Sequence, residues 1–193
     1  MRTTTVVLVC LFAFSVFATA PASGSWSLHL SGGATFPTQD VGETELGTGL
    51  GLEALVGYRF MPHLEGYAGW DYHHFGADES ATGDDVDTEE TGYAFGLRFV
   101  HPIGESALSY VARAGATYNH IEMENDDGDI IADSGHGLGW EAGVGLDIPI
   151  GDSWSVVPMV RYRSLSREIE IEDEATDVDL TYVATDLGIT WSF

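Results

Sequence analysis

Apolar side chains recur at every second position along most of the chain beyond residue 25, the mark of strands with a different environment on each face. In the first such segment Trp26, Leu28, Leu30, Ala34 and Phe36 alternate with Ser27, His29, Ser31 and Thr35. Seven more follow, over residues 46–60, 64–72, 93–99, 108–118, 138–148, 154–162 and 179–193. Val157 and Met159 interrupt the seventh, and the neighbouring Tyr182 and Val183 in the eighth predict a bulge or a change of face. An even number of strands suits a closed antiparallel array whose two ends lie on one side. The links alternate as well. Those after the second, fourth and sixth segments are short and rich in Pro or Gly, whereas those after the first, third, fifth and seventh are long and polar. The long links, with Asp179 at the edge of the eighth segment counted among them, hold 23 of the 31 acidic residues, so charge collects at one end.

This pattern predicts an all-β fold, an eight-stranded antiparallel up-and-down transmembrane β-barrel with short periplasmic turns and long acidic extracellular loops. In hydrocarbon every backbone N–H and C=O needs an internal partner, which strands achieve only by closing on themselves. Apolar-out, polar-in strands with short turns at one rim and long loops at the other are the expected arrangement. The aromatic residues agree. The register fixed by alternation puts Trp26, Phe99, Tyr110, Trp154, Trp191 and Phe193 at one rim, and Phe36, Trp70, Tyr72, Tyr93, Tyr118, Trp140 and Tyr162 at the other, as membrane interfaces favour. A soluble lipocalin-like barrel or β-sandwich is the alternative; its polar face would carry Lys, Glu and Thr, whereas here that face is mostly Gly, Ser and Ala.

The segment before the first strand has a different character. Arg2, an apolar run from Val6 to Phe14 and small residues after it read as a cleaved signal peptide over residues 1–22, with Ala20 the alternative cleavage point. Residues 23–193 form the barrel domain, about 170 residues with no cysteine and hence no disulfide. Without Arg2 the chain carries six arginines, no lysine and 31 acidic residues, a formal charge of −25. That excess argues against nucleic acid as a partner.

The closing residues Leu187, Ile189, Trp191 and Phe193 resemble the C-terminal signal of small outer-membrane barrels of Gram-negative bacteria, and the alternation resembles the OmpA/OmpX-like class over the whole mature sequence. The resemblance implies residence in the outer membrane with both termini periplasmic. Its implied partners are outer-membrane lipid and lipopolysaccharide, the assembly machinery during insertion, and an extracellular ligand or surface. The expected role is structural or in surface interaction, such as adhesion or envelope integrity, without enzymatic activity. A narrow cation-preferring channel gated by interior salt bridges is the alternative.

An eight-stranded barrel is filled by its own side chains. The inward phase carries Glu53, Arg59, Glu65, Arg98, Arg113, Glu141 and Arg161, with Asp71, Asp147 and Arg163 beside them. A turn about Pro62 would set Arg59 opposite Glu65, and one about Gly151 would set Glu141 opposite Arg161. His29 and Ser31 share a face as base and nucleophile, but no acid is evidently placed to orient the histidine. Nothing calls for a cofactor. Asp126, Asp127 and Asp129 offer oxygen ligands for weak divalent cation binding, without a known calcium-loop spacing. Alternating Glu168, Ile169, Glu170 and Ile171 suggest that the last two strands protrude above the membrane.

Overall fold

The computed structural model describes residues 26–39, 45–79, 87–124, 130–171 and 174–193. Their backbone forms eight long strands: β1 (Trp26–Pro37), β2 (Gly49–Met61), β3 (Leu64–Phe75), β4 (Asp87–Pro102), β5 (Ser109–Glu124), β6 (Gly137–Pro149), β7 (Trp154–Ile171) and β8 (Glu174–Ser192). Each pairs antiparallel with its sequence neighbours. β8 pairs in turn with β1, from Ser27↔Ser192 to Pro37↔Tyr182, and this seam closes the barrel. Phe193 continues it, since its N–H donates to Trp26 O at 3.0 Å and Trp26 N–H returns a 3.3 Å bond to Phe193 O. The apolar terminus is thus ladder to its last residue rather than a fraying edge.

Alternation has the predicted phase. Leu52, Leu97, Val144 and Leu187 lie on the outer wall, each about half exposed or more, while Glu53, Arg98 and Arg113 face the lumen. Trp26 packs on Tyr58 and Trp154 on Trp191 near the short turns; Trp70 packs on Tyr72 and Trp140 on Tyr162 towards the other rim. Inside, glycines admit large rings. A Cβ on Gly96 would lie 2.7 Å from the Tyr67 hydroxyl, so this position and Gly115 leave room for that side chain.

Four details refine or correct the reading of the sequence. First, of the bulge or change of face expected at Tyr182 and Val183, β8 shows the change of face: pairing is unbroken on both sides, and the apolar side chains pass from the lumen at Leu180 and Tyr182 to the outer wall at Val183, Leu187 and Ile189. Second, the seventh link is largely strand, as the alternation of Glu168 to Ile171 suggests, because β7 and β8 pair up to Ile171↔Glu174 and extend beyond the rest of the wall. Third, Leu46 is not part of β2. Glu45–Leu46 pairs instead with Ala77–Glu79, and Leu46 is buried with Phe75, Ile121, Leu165 and Leu180 in an apolar plug at the long-loop end. Fourth, the turn between β6 and β7 is centred on Asp152, because Ile150 N–H bonds Trp154 O at 2.9 Å. Arg163 therefore stands opposite Glu141, and Arg161 opposite Gly143.

Candidate functional site: a layered ion-pair network in the lumen

Three layers of polar side chains cross the interior below the apolar plug. Next to the short turns, His29 Nε2 and Glu65 Oε1 are 2.7 Å apart, and Ser27 Oγ donates to Glu65 Oε2 at 2.9 Å. Arg98 reaches Asp147 at 3.2 Å and lies 3.7 Å from Glu65. β1, β3, β4 and β6 all contribute to this layer, so it ties opposite walls together.

The central layer is denser. Arg113 forms a bidentate pair with Glu53, both bonds 2.6 Å, and its Nε donates to Glu141 at 2.7 Å. Arg161 donates to Glu53 at 2.8 Å and Asp186 at 2.7 Å, and lies 3.3 Å from Glu141. The Tyr67 hydroxyl donates to Glu141 at 2.7 Å, and the Arg113 guanidinium lies 4.3 Å from the centre of the same ring. Arg98 and Arg113 are directly opposite across β4 and β5. Such a like-charge pair is unfavourable alone; here each guanidinium turns away towards its own carboxylates.

In the third layer Arg163 bonds Asp71, stands 3.3 Å from Glu90 and donates to the Tyr182 hydroxyl at 3.0 Å. Tyr182 donates to Glu90 at 2.6 Å, and the Asn119 amide bridges Asp71 and Glu90 at 2.7 and 2.6 Å. Above it Arg167 caps backbone carbonyls, with bonds of 2.6 Å to Gly137 O and 2.9 Å to Leu138 O. Removing so many charges from water is costly, and that cost is offset only where every charge meets a partner of opposite sign in good geometry. Between the first two layers lies a cavity of about 40 Å³, bordered by His29, Glu53, Arg98 and Met159 and large enough for a few water molecules.

Of the residues expected inside, Glu53, Glu65, Arg98, Arg113, Glu141 and Arg161 do meet in this network. Arg59 does not. It is in register with Glu65 as foreseen, but β2 shifts register between Arg59 and Met61, and the Arg59 side chain is exposed at the rim, where its charge stays hydrated. The register placing Glu141 opposite Arg161 is likewise corrected to Arg163, although the Arg161 side chain spans the diagonal. An acid does meet His29, contrary to expectation, because Glu65 on β3 reaches across β2 to its ring; His29 and Ser31 nevertheless form no base–nucleophile pair, since His29 bonds Ser27, Glu65 and Thr190, whereas Ser31 Oγ donates to Glu53 at 3.4 Å. The signal peptide and Asp126, Asp127 and Asp129 lie outside the described residues.

Sequence reasoning missed Tyr67, Glu90, Asn119, Tyr182 and Asp186 as members of the network. Parity contained the signal, since Asp186, Gly188 and Thr190 share a phase opposite Leu187 and Ile189. Glu90, counted among the loop acids, continues the inward phase of Gly92 and Ala94.

A closed array with an apolar outer wall, aromatic bands and a charged, filled lumen is the architecture of small membrane barrels. The sequence profile of the family described as "Outer membrane protein beta-barrel domain" matches residues 6–193. The chain belongs to this family. Comparison with curated proteins finds no match. Among solved structures this outer-membrane barrel is similar to Neisserial surface protein A, with 13% identity, 88% of this chain and 97% of the other covered, and a TM-score of 0.64. It is also similar to outer membrane protein W of E. coli (16% identity, 90% and 100% covered, TM-score 0.56) and to OprG of Pseudomonas aeruginosa (13%, 88% and 98%, 0.55). At these identities the likeness is one of fold.

Proposed function

We propose that this outer-membrane barrel is a structural or surface-contact protein: a sealed cylinder with both termini periplasmic, presenting its long acidic connections and the extended β7–β8 hairpin outside the cell. The observation that carries this reading is the continuous obstruction of the lumen. The central layer joins β2, β5, β6, β7 and β8 through bonds of 2.6–2.8 Å, and the plug around Phe75 and Leu180 lies above the third layer. An ion crossing the barrel would have to part several charge-assisted bonds at once. What reaches outward is acid, since five of the six arginines are buried inside. Such a rim suits adhesive or stabilising contact with cationic or cation-bridged surfaces.

The test is single-channel recording of the full chain refolded into a planar bilayer. No discrete conductance steps are expected; cation-selective steps from the unaltered protein would overturn the reading. One feature favours the channel alternative. Glu141 lies within 3.3 Å of Arg113, Arg161 and Arg163, so a guanidinium could exchange partners without losing them all. A channel gated there would show steps that vanish or enlarge in Glu141→Ala.

A further inference from the structure

On the outer wall beyond the upper aromatic band, His120 and Glu122 follow Tyr118 on the outward phase of β5. Asp133 ends a short strand, Ile130–Asp133, and sits directly opposite Glu122. His120 Nδ1 is 3.4 Å from Asp133 Oδ1 and 3.6 Å from Glu122 Oε1, and the three donor atoms all lie within 4.8 Å of one another. The two His120 separations lie at or beyond the long end of hydrogen bonding, the 3.4 Å contact to Asp133 being a weak bond. They suit neighbouring ligands of one ion, because bonds of about 2.0–2.2 Å at tetrahedral angles space their donor atoms about 3.3–3.6 Å apart.

The register supplies an independent reason to expect a cation. Glu89 of β4 stands opposite Glu122 on its other side, so Glu89, Glu122 and Asp133 lie abreast on three neighbouring strands. Like charges in direct opposition destabilise a sheet. Neither lysine nor arginine relieves them: the chain has no lysine, five arginines are in the lumen and Arg59 is at the opposite rim. His74 lies 3.5 Å from Glu89, which leaves His120 as the ring between Glu122 and Asp133. The donors are also held in place. Gly135 N–H donates to Asp133 Oδ1 at 2.8 Å, and the His136 ring stacks on His120 at 4.5 Å, with 10° between the planes.

We propose that His120, Glu122 and Asp133 form a divalent transition-metal site on the outer wall, with the remaining coordination positions open to water. One imidazole and two carboxylates favour an ion such as Zn²⁺ over Ca²⁺ or Mg²⁺, which prefer oxygen alone. The imidazole distinguishes this site from the surrounding acid, which attracts any cation by charge.

The test is calorimetric titration of the full chain, folded in lipid nanodiscs and freed of metal by chelation, with Zn²⁺ in physiological salt containing excess Ca²⁺. One saturable Zn²⁺ site is expected. His120→Ala and Asp133→Asn should each weaken it about tenfold or more, while Asp179→Asn, at an exposed acid elsewhere, should leave it unchanged. Cu²⁺ in the same position should show hyperfine coupling to a single imidazole nitrogen in electron paramagnetic resonance, lost in His120→Ala. Equal Zn²⁺ affinity in the unaltered protein and His120→Ala, or Zn²⁺ binding abolished by Ca²⁺, would overturn the proposal. Heat-dependent gel migration reports folding of each variant. Should His120→Ala fail to fold, Asp133→Asn and Glu122→Gln carry the same comparison.

Discussion

Arg161 is anchored by Glu53 from β2 and Asp186 from β8, and it is almost completely withdrawn from solvent. Truncating it would leave those carboxylates facing each other in a medium that screens poorly. Removal of one partner from a buried ion pair typically costs about 3–5 kcal/mol. Arg161→Ala is therefore expected to destabilise the barrel by about that amount, read as a lower urea midpoint in lipid vesicles. Arg59→Ala, at the hydrated rim, should change stability by no more than about 0.5 kcal/mol. The contrast marks where residue-level reading of the sequence worked. Parity alone placed Glu53, Arg98 and Arg113 inside, because a strand has only two faces. Parity could not say that Arg59 would leave the lumen, because a register shift beside a turn releases the alternation and a long side chain can reach water. Nor could it choose partners for Arg161, whose length spans two register positions.

The strands were legible because their two faces meet different solvents, and seven of the eight show it over most of their length. The wall can be tested at two depths. Val144 sits mid-strand on the outer face, whereas Leu138 lies opposite Tyr118 in the upper aromatic band. Val144→Arg should cost about 2–4 kcal/mol and Leu138→Arg about 0–1 kcal/mol, measured as unfolding free energies in vesicles. Equal costs would mean that the wall does not meet a hydrocarbon layer at that depth. The turns were less legible. A shift of one residue in the centre of the β6–β7 turn moves the pairing by two, and composition gave no reason to choose Asp152 over Gly151. The two-residue strand that carries Leu46 inward was hidden for a related reason: its apolar residue kept the phase of β2 while the backbone had already left the wall. The protruding β7–β8 hairpin, in contrast, was foreshadowed by Glu and Ile alternating beyond the length a membrane needs.

Across the whole molecule the charge is divided sharply. Five of the six arginines of the strands are locked within, Arg59 lies at the short-turn rim, and the exterior above the aromatic band is acidic, so attraction towards other molecules there depends on cations from solution. The lumenal network also constrains how such a protein can come into being. Arg161 needs Asp186 from β8, Arg113 needs Glu53 from β2 and Glu141 from β6, and Arg163 needs Glu90 and Asp71 from the opposite wall. A half-zipped sheet entering lipid strand by strand would carry unpaired guanidinium groups into hydrocarbon, at about 2.5–3.5 kcal/mol each even on insertion scales. A chain cut before Glu174 should accordingly remain extractable by alkaline carbonate, while the full chain resists extraction. The arginines thus tie the burial of charge to closure of the wall: Arg98, Arg113 and Arg163 meet carboxylates that come from other strands, and Arg161 completes its pairing with Asp186 only when the last strand arrives.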